Sequence, residues 1–147
     1  CGMVGRDAAA AVLRRALSGC GLKDNTAEAS EDGDSLAETG EVLCMVTPGG
    51  QRTFAYRPGA SATLTAASLL PAIRSHARLG SPALAYFDVY TLLNPGSLTE
   101  EGMREAKALQ CKVGLNLGSP GIVAAQGARL WALLRGGLCD AVMMNED

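Results

Sequence analysis

Apolar and polar positions along the chain follow two different periods, and the change of period marks out its elements. Asp7 can cap free helix N–H groups, and the Ala8 to Leu17 run behind it carries Val12, Leu13, Ala16 and Leu17 as an apolar stripe opposite Arg14 and Arg15. A first helix is predicted there, with Gly19 and Gly21 as places to stop. From Lys23 to Glu38 the residues are acidic, small and almost free of large apolar side chains, which predicts a solvated or poorly ordered loop. The period then drops to two. Glu41 to Thr47 and Arg52 to Arg57 read as strands joined by Pro48-Gly49-Gly50-Gln51, a turn signal of hairpin length, and Pro58-Gly59-Ala60-Ser61 ends them. Thr53, Ala55 and Arg57 alternate with Phe54 and Tyr56, so one face of the hairpin is aromatic, the other mixed, and one of them wetter.

Helical and strand-like runs take turns after that. Ala66 to Leu79 is helical in composition, with Pro71 as a point where a helix breaks or starts. Ala83 to Val89 is an apolar, aromatic run of strand length. Ser97-Leu98-Thr99-Glu100 reads as a capping box opening a helix to about Leu109, with Glu100 and Arg104 paired one turn apart. Lys112 to Leu117 is a second strand. Ile122 to Leu134 is a further helix, with Arg129 and Arg135 outward and Ile122, Val123, Leu130, Leu133 and Leu134 available to a core. Gly136-Gly137 closes it, and Ala141 to Asn145 starts a third strand. A β-α-β-α-β series predicts a parallel sheet covered by helices. Ligands collect at the carboxyl ends of such strands, here Asp88 to Leu92, Asn116 to Ser119 and Asn145 to Asp147.

Composition narrows the function classes. The 147 residues suffice for one domain with a core, and 48% apolar with 19% charged residues excludes a disordered chain. The net charge of −2 and the absence of any Lys/Arg run argue against nucleic acid as a partner. No apolar stretch approaches the roughly 20 residues of a membrane span, so a soluble protein is expected. Cys1, Cys20, Cys44, Cys111 and Cys139 are widely spaced, lack a CxxC pair and read as buried reduced thiols of a reducing compartment, the cytoplasm. His76 reads as a surface residue, because no hydrolytic triad can be assembled around it. Gly2 and Gly5 form no phosphate loop, since no Gly-Lys-Ser/Thr follows. Trp131, the tyrosines and the phenylalanines read as core. A start on Cys1 and an end on Met143-Met144-Asn145-Glu146-Asp147, directly after an apolar run, suggest an internal piece of a longer chain.

Several local strings, in order, resemble the ribokinase-like (pfkB) family of sugar and nucleoside kinases. Gly2-Met3-Val4-Gly5-Arg6-Asp7 is similar to the family's G-x-x-G-x-D lead into a helix. Thr39-Gly40, then Gly49-Gly50-Gln51-Arg52-Thr53-Phe54, resemble its two lid strands, and Pro58-Gly59-Ala60 resembles the end of that lid. Gly137 to Glu146 resembles the strand running into the N-x-x-E motif. The fold implied is α/β and ribokinase-like: a partial parallel sheet with flanking helices plus a β-hairpin lid. Residues 1–147 would be a single partial kinase domain, with the lid at about 39–60 and part of the core sheet at 64–147. The activity implied is transfer of the ATP γ-phosphate, with Mg²⁺, to a hydroxyl of a small sugar or nucleoside. Such transfer depends on positioning and on neutralising spread negative charge. The family's catalytic Asp and its G-A-G-D turn would lie C-terminal to residue 147, and much of the substrate-binding glycine motif before residue 1, so the chain alone is expected to be inactive.

Residue by residue, the resemblance implies four positions near substrate or phosphate. Asn145 matches the Asn of N-x-x-E, which helps place Mg²⁺ and phosphate through water; otherwise it is a polar residue ending a strand. Glu146 and Asp147 point to opposite faces of a strand and do not share a metal. Arg52 matches a lid arginine directed at the transfer site, a task suited to a forked, permanently charged guanidinium, or else it is a solvated hairpin residue. Asn116, in Gly114-Leu115-Asn116-Leu117-Gly118-Ser119-Pro120, resembles the N-L-S-A-P string of adenosine kinases; its alternative is a turn in which Asn116 or Ser119 caps the next helix. Gly121 stands where adenosine kinases carry an aromatic that stacks on the base, which leaves nucleoside specificity open. A non-catalytic scaffold of the same fold and an unrelated flavodoxin-like module are the competing readings.

Overall fold

Asp7 caps the first helix in the computed structural model, which describes residues 1–29, 38–77, 83–94 and 96–144. The chain divides into two compact units, Cys1–Leu64 and Thr65–Asp147. In the first unit β1 (Gly2–Val4) leads into α1 (Ala8–Gly19), and the chain returns as β2 (Thr26–Glu28), parallel to β1 with Val4 opposite Glu28. The Lys23–Glu38 loop expectation therefore fails at β2. Its three residues carry no apolar alternation to announce a strand, and what holds it is parallel pairing together with Arg14. Arg14 reaches from α1 to Thr26 Oγ1 at 3.3 Å, Glu28 at 2.7 Å and Asp24 at 3.2 Å. The predicted helix face holds only in part: Leu17 is half-buried and Arg15 exposed as expected, but Arg14 is turned toward β2, Val12, Leu13 and Ala16 are exposed, and Ala10 is the buried residue of α1.

The hairpin follows as β3 (Glu41–Val46) and β4 (Arg52–Arg57), antiparallel, with Glu41 opposite Arg57 and Val46 opposite Arg52. Gly50, at φ +81°, supplies the left-handed residue of the turn, and its N–H bonds Thr47 O at 2.9 Å. Both faces of the hairpin are exposed, so the expected contrast between a dry and a wet face is absent: no second layer among the described residues covers either side. A 3-10 turn at Gly59–Thr63 ends the unit.

The second unit is the predicted series. α2 (Ala66–Ala77) runs through Pro71 instead of breaking there; β5 (Leu84–Asp88) leads through a 3-10 turn, Val89–Leu93, to α3 (Leu98–Ala108). β6 (Lys112–Asn116) follows, then α4 (Pro120–Ala125), α5 (Gly127–Arg135) and β7 (Ala141–Met143). The strands are parallel in the order β5-β6-β7, with Asp88 opposite Asn116 and Asn116 opposite Met143. One helix was expected across 122–134; two occur, interrupted at Gln126, and the second closes on Gly136 with Gly137 at φ +67°. The core joins one sheet face (Phe87, Val113, Leu115) to Met103 and Ala106 of α3 and Leu130 and Leu133 of α5. The opposite face carries Leu84, Tyr86 and Met143, all exposed, beside Gly114.

Other expectations are corrected here. Phe87 is the buried aromatic; Phe54, Tyr56, Tyr86, Tyr90 and Trp131 are exposed, Trp131 with the Arg135 guanidinium 5.2 Å from its ring centre. The five cysteines are free, but Cys1, Cys20 and Cys44 are exposed rather than buried. Ser97 precedes α3 without capping it: its hydroxyl bonds the Glu101 carboxylate. Among the described residues no helix is long and apolar enough to cross a membrane.

Candidate functional site

Parallel pairing puts the carboxyl ends of β5, β6 and β7 on one edge of the sheet. Two of the polar tips meet there. Asn116 Nδ2 donates to Asp88 Oδ2 at 2.9 Å, across a register pair of the ladder. Each residue also bonds the backbone two positions on: Asp88 Oδ1 accepts the Tyr90 N–H at 3.0 Å, and Asn116 Oδ1 the Gly118 N–H at 3.3 Å. Both side chains are half-buried, and the bond to a carboxylate fixes which way the Asn116 amide is turned. Gly118 leaves the Asn116 amide room, since a Cβ there would lie 3.2 Å from Asn116 Nδ2, a tight contact that the amide would have to yield to.

Ser119 stands at the N-cap of α4, with Pro120 as the first helical residue, yet its side chain makes no capping bond, and Asn116 caps no helix either. Gly121 opens onto space, the nearest atom to a Cβ there being Ser119 Oγ at 4.0 Å. Arg52 begins β4 in the first unit, exposed, with no carboxylate of the described residues paired to it. Asn145, with Glu146 and Asp147, lies outside the described residues. Among the described residues no group of three His, Cys, Asp or Glu side chains gathers to hold a metal ion.

A second polar cluster lies in the first unit and was not singled out as a site. Asp7 accepts bonds from the Thr39 N–H at 2.6 Å, the Thr39 hydroxyl at 2.7 Å and the Ala10 N–H at 2.8 Å. These donors, Thr39 first, hold its carboxyl down at about 2. The Gly5 N–H in turn bonds Thr39 Oγ1 at 3.0 Å. At the foot of the hairpin a Cβ on Gly40 would strike the Pro58 carbonyl, and one on Gly59, at φ +52°, the Glu38 carbonyl. The strings Gly5-Arg6-Asp7, Thr39-Gly40 and Pro58-Gly59-Ala60 thus form one joint. The signal for it was present in those strings, but only as a resemblance.

Comparison with solved structures decides what this architecture is. An adenosine kinase from Sinorhizobium meliloti superposes at a TM-score of 0.80 over 97% of the chain, with 21% sequence identity. The chain has the ribokinase-like fold. Adenosine kinase from Anopheles gambiae, in complex with P1,P4-di(adenosine-5) tetraphosphate, shares it at a TM-score of 0.82 and 20% identity over 99% of the chain. So does a protein from Rhizobium etli CFN 42 designated a probable sugar kinase, at a TM-score of 0.77 and 19% identity over 95%. At these identities the likeness is one of fold. The chain spans 41%, 42% and 40% of those three proteins, so it carries part of the ribokinase-like fold. No protein-family model and no curated protein sequence matches the chain.

Proposed function

We propose that the chain is one partial kinase domain, with its lid at about 39–60 and core-sheet strands at 64–147, of an ATP- and Mg²⁺-dependent enzyme that phosphorylates a hydroxyl of a sugar or nucleoside. The observation that supports it is the superposition on adenosine kinases along nearly the whole chain. In this reading Asn116 and Ser119 border the substrate end of the sheet, Arg52 serves phosphate from the lid, and Asn145 acts through water on Mg²⁺. The cytoplasm, where ATP and reduced thiols coexist, is the compartment this reading favours.

The test compares two proteins: the 147-residue chain and the same chain extended by the coding sequence that flanks it. Each is given Mg²⁺–ATP with adenosine, ribose or fructose. The chain alone is expected to transfer no phosphate and the extended protein to turn over. A folded extended protein that phosphorylates none of the three would overturn the reading. It would favour a second one, a non-catalytic binding protein of the same fold, with which the open space at Gly121 is already compatible.

A further inference from the structure

The turn that follows Asp88 is fastened from inside the second unit. Thr99, in the first turn of α3, is fully buried, and its Oγ1 lies 2.8 Å from Thr91 Oγ1. Thr91 Oγ1 donates to the Asp88 carbonyl at 2.7 Å. A hydroxyl carries one hydrogen, and that of Thr91 goes to the carbonyl, so Thr99 is the donor between the two threonines. The order is Thr99 to Thr91 to Asp88, and the Asp88 carboxylate continues it to the Asn116 amide at 2.9 Å. Val89 and Leu92 of the same turn are buried, which leaves the turn little room to move.

Packing alone does not call for two hydroxyls here. Valine has nearly the shape of threonine and needs no partner, and exchanging both members of a buried hydrogen-bonded pair for apolar groups of the same shape is close to neutral for stability. What the hydroxyls add is direction. They set the plane of the Asp88 carbonyl, and with it the aim of the carboxylate that holds the Asn116 amide. We propose that Thr99, acting through Thr91 and Asp88, is a positioning residue that fixes the Asn116 side chain at the carboxyl edge of the sheet without touching a ligand itself. The kinetic arm of its test rests on the kinase reading, which puts the phosphate acceptor at that edge; the positioning itself does not.

Both arms use the chain extended by its flanking coding sequence. In the first, NMR follows the side-chain N–H₂ of Asn116, assigned by its loss in Asn116→Ala. Its hydrogens should exchange with water about fivefold faster in Thr99→Val, the worth of one neutral hydrogen bond, and at the wild-type rate in Thr99→Ser, which keeps the hydroxyl. Thr91→Val combined with Thr99→Val leaves neither hydroxyl unpartnered, so it should fold as the wild type does and still show the fast exchange, whether or not Thr99→Val folds. In the second arm, with Mg²⁺–ATP, Thr99→Val should raise the KM for whichever of adenosine, ribose or fructose the wild type turns over, again about fivefold, and leave the KM for ATP in place. A merely structural role would lower the active fraction, and so kcat, without splitting the two KM values. Unchanged exchange in the valine variants, no recovery in Thr99→Ser, a double variant that does not fold, or KM values that rise together would each overturn the positioning role. An extended protein that turns over none of the three sinks the kinase reading instead, and the exchange rates then decide the positioning role by themselves.

Discussion

Asp7 shows how much one residue can do for a short motif. Its carboxylate caps α1 and holds both the backbone N–H and the hydroxyl of Thr39, a buried residue 32 positions away. All of these bonds favour the charged form, so the carboxyl titrates at about 2 in the folded chain against 3.8 as its ordinary value. Between those values the unfolded chain binds more protons than the folded one, so the stabilisation is complete above about pH 4 and fades as pH falls toward 2. Asp7→Asn keeps a capping oxygen but turns an N–H₂ toward the Thr39 N–H. Urea unfolding should therefore show the wild type more stable than Asp7→Asn at neutral pH, with the gap closing as the pH is lowered toward 2. A gap that stays constant over that range would show that the charge of Asp7 is not what holds the joint. The joint itself was legible in the sequence only as a set of strings in order. Its bonds were not, because residues 5, 7, 39 and 59 meet through tertiary structure that no local period encodes.

Elements with a strong local signal were readable, and those held by distant partners were not. The hairpin could be read because alternation and a Pro-Gly-Gly turn agree with each other. β2 could not, since Thr26-Ala27-Glu28 has strand character only beside β1. At the candidate site, Asp88 and Asn116 could be placed at strand ends from the apolar runs before them. Their bond depends on the register between β5 and β6, which no local pattern states. Arg129 is the clearest miss. Expected outward on its helix, it reaches instead across the unit to Glu100, with Nε at 2.9 Å and Nη2 at 3.0 Å from the two carboxylate oxygens, and to the carbonyls of Leu92 at 2.8 Å and Gly96 at 3.2 Å. Sequence spacing had given Glu100 to Arg104. The fork of Arg129 satisfies two carbonyls as well as the acid, which an i,i+4 partner could not do. This clamp fastens α5 to the segment between β5 and α3. Arg129→Ala should destabilise the chain by about 2 kcal/mol, between an exposed pair and a fully buried one. Arg129→Lys should recover part of that, because an ammonium cannot span the same acceptors. A loss below about 0.5 kcal/mol in denaturant unfolding, the range of a plain surface change, would refute the clamp.

Across the whole molecule the balance of covered and uncovered sheet is what sets behaviour in solution. Parallel sheets are ordinarily covered on both faces, yet here helices cover the Phe87–Val113–Leu115 face and leave Leu84, Tyr86 and Met143 exposed on the other. β5 and β7 are the outer strands of that sheet among the described residues, so both offer unpaired backbone. The hairpin adds Val42, Leu43, Phe54 and Tyr56, each more than half exposed. Large exposed apolar side chains of this kind each gain about 1.5–3 kcal/mol on burial, so a second copy of the chain is a ready cover. The isolated chain is therefore expected to self-associate with rising concentration in sedimentation velocity, and to melt broadly and irreversibly. Leu84→Lys together with Tyr86→Lys should shift the chain toward monomer without loss of helical signal, because both side chains stand on the face away from the core, while edge pairing and the hairpin account for whatever association persists. A wild-type chain that stays monomeric with a sharp, reversible melt would mean that the exposed sheet face does not drive association. This part of the ribokinase-like fold would then be able to stand as 147 residues without the layer that parallel sheets normally require.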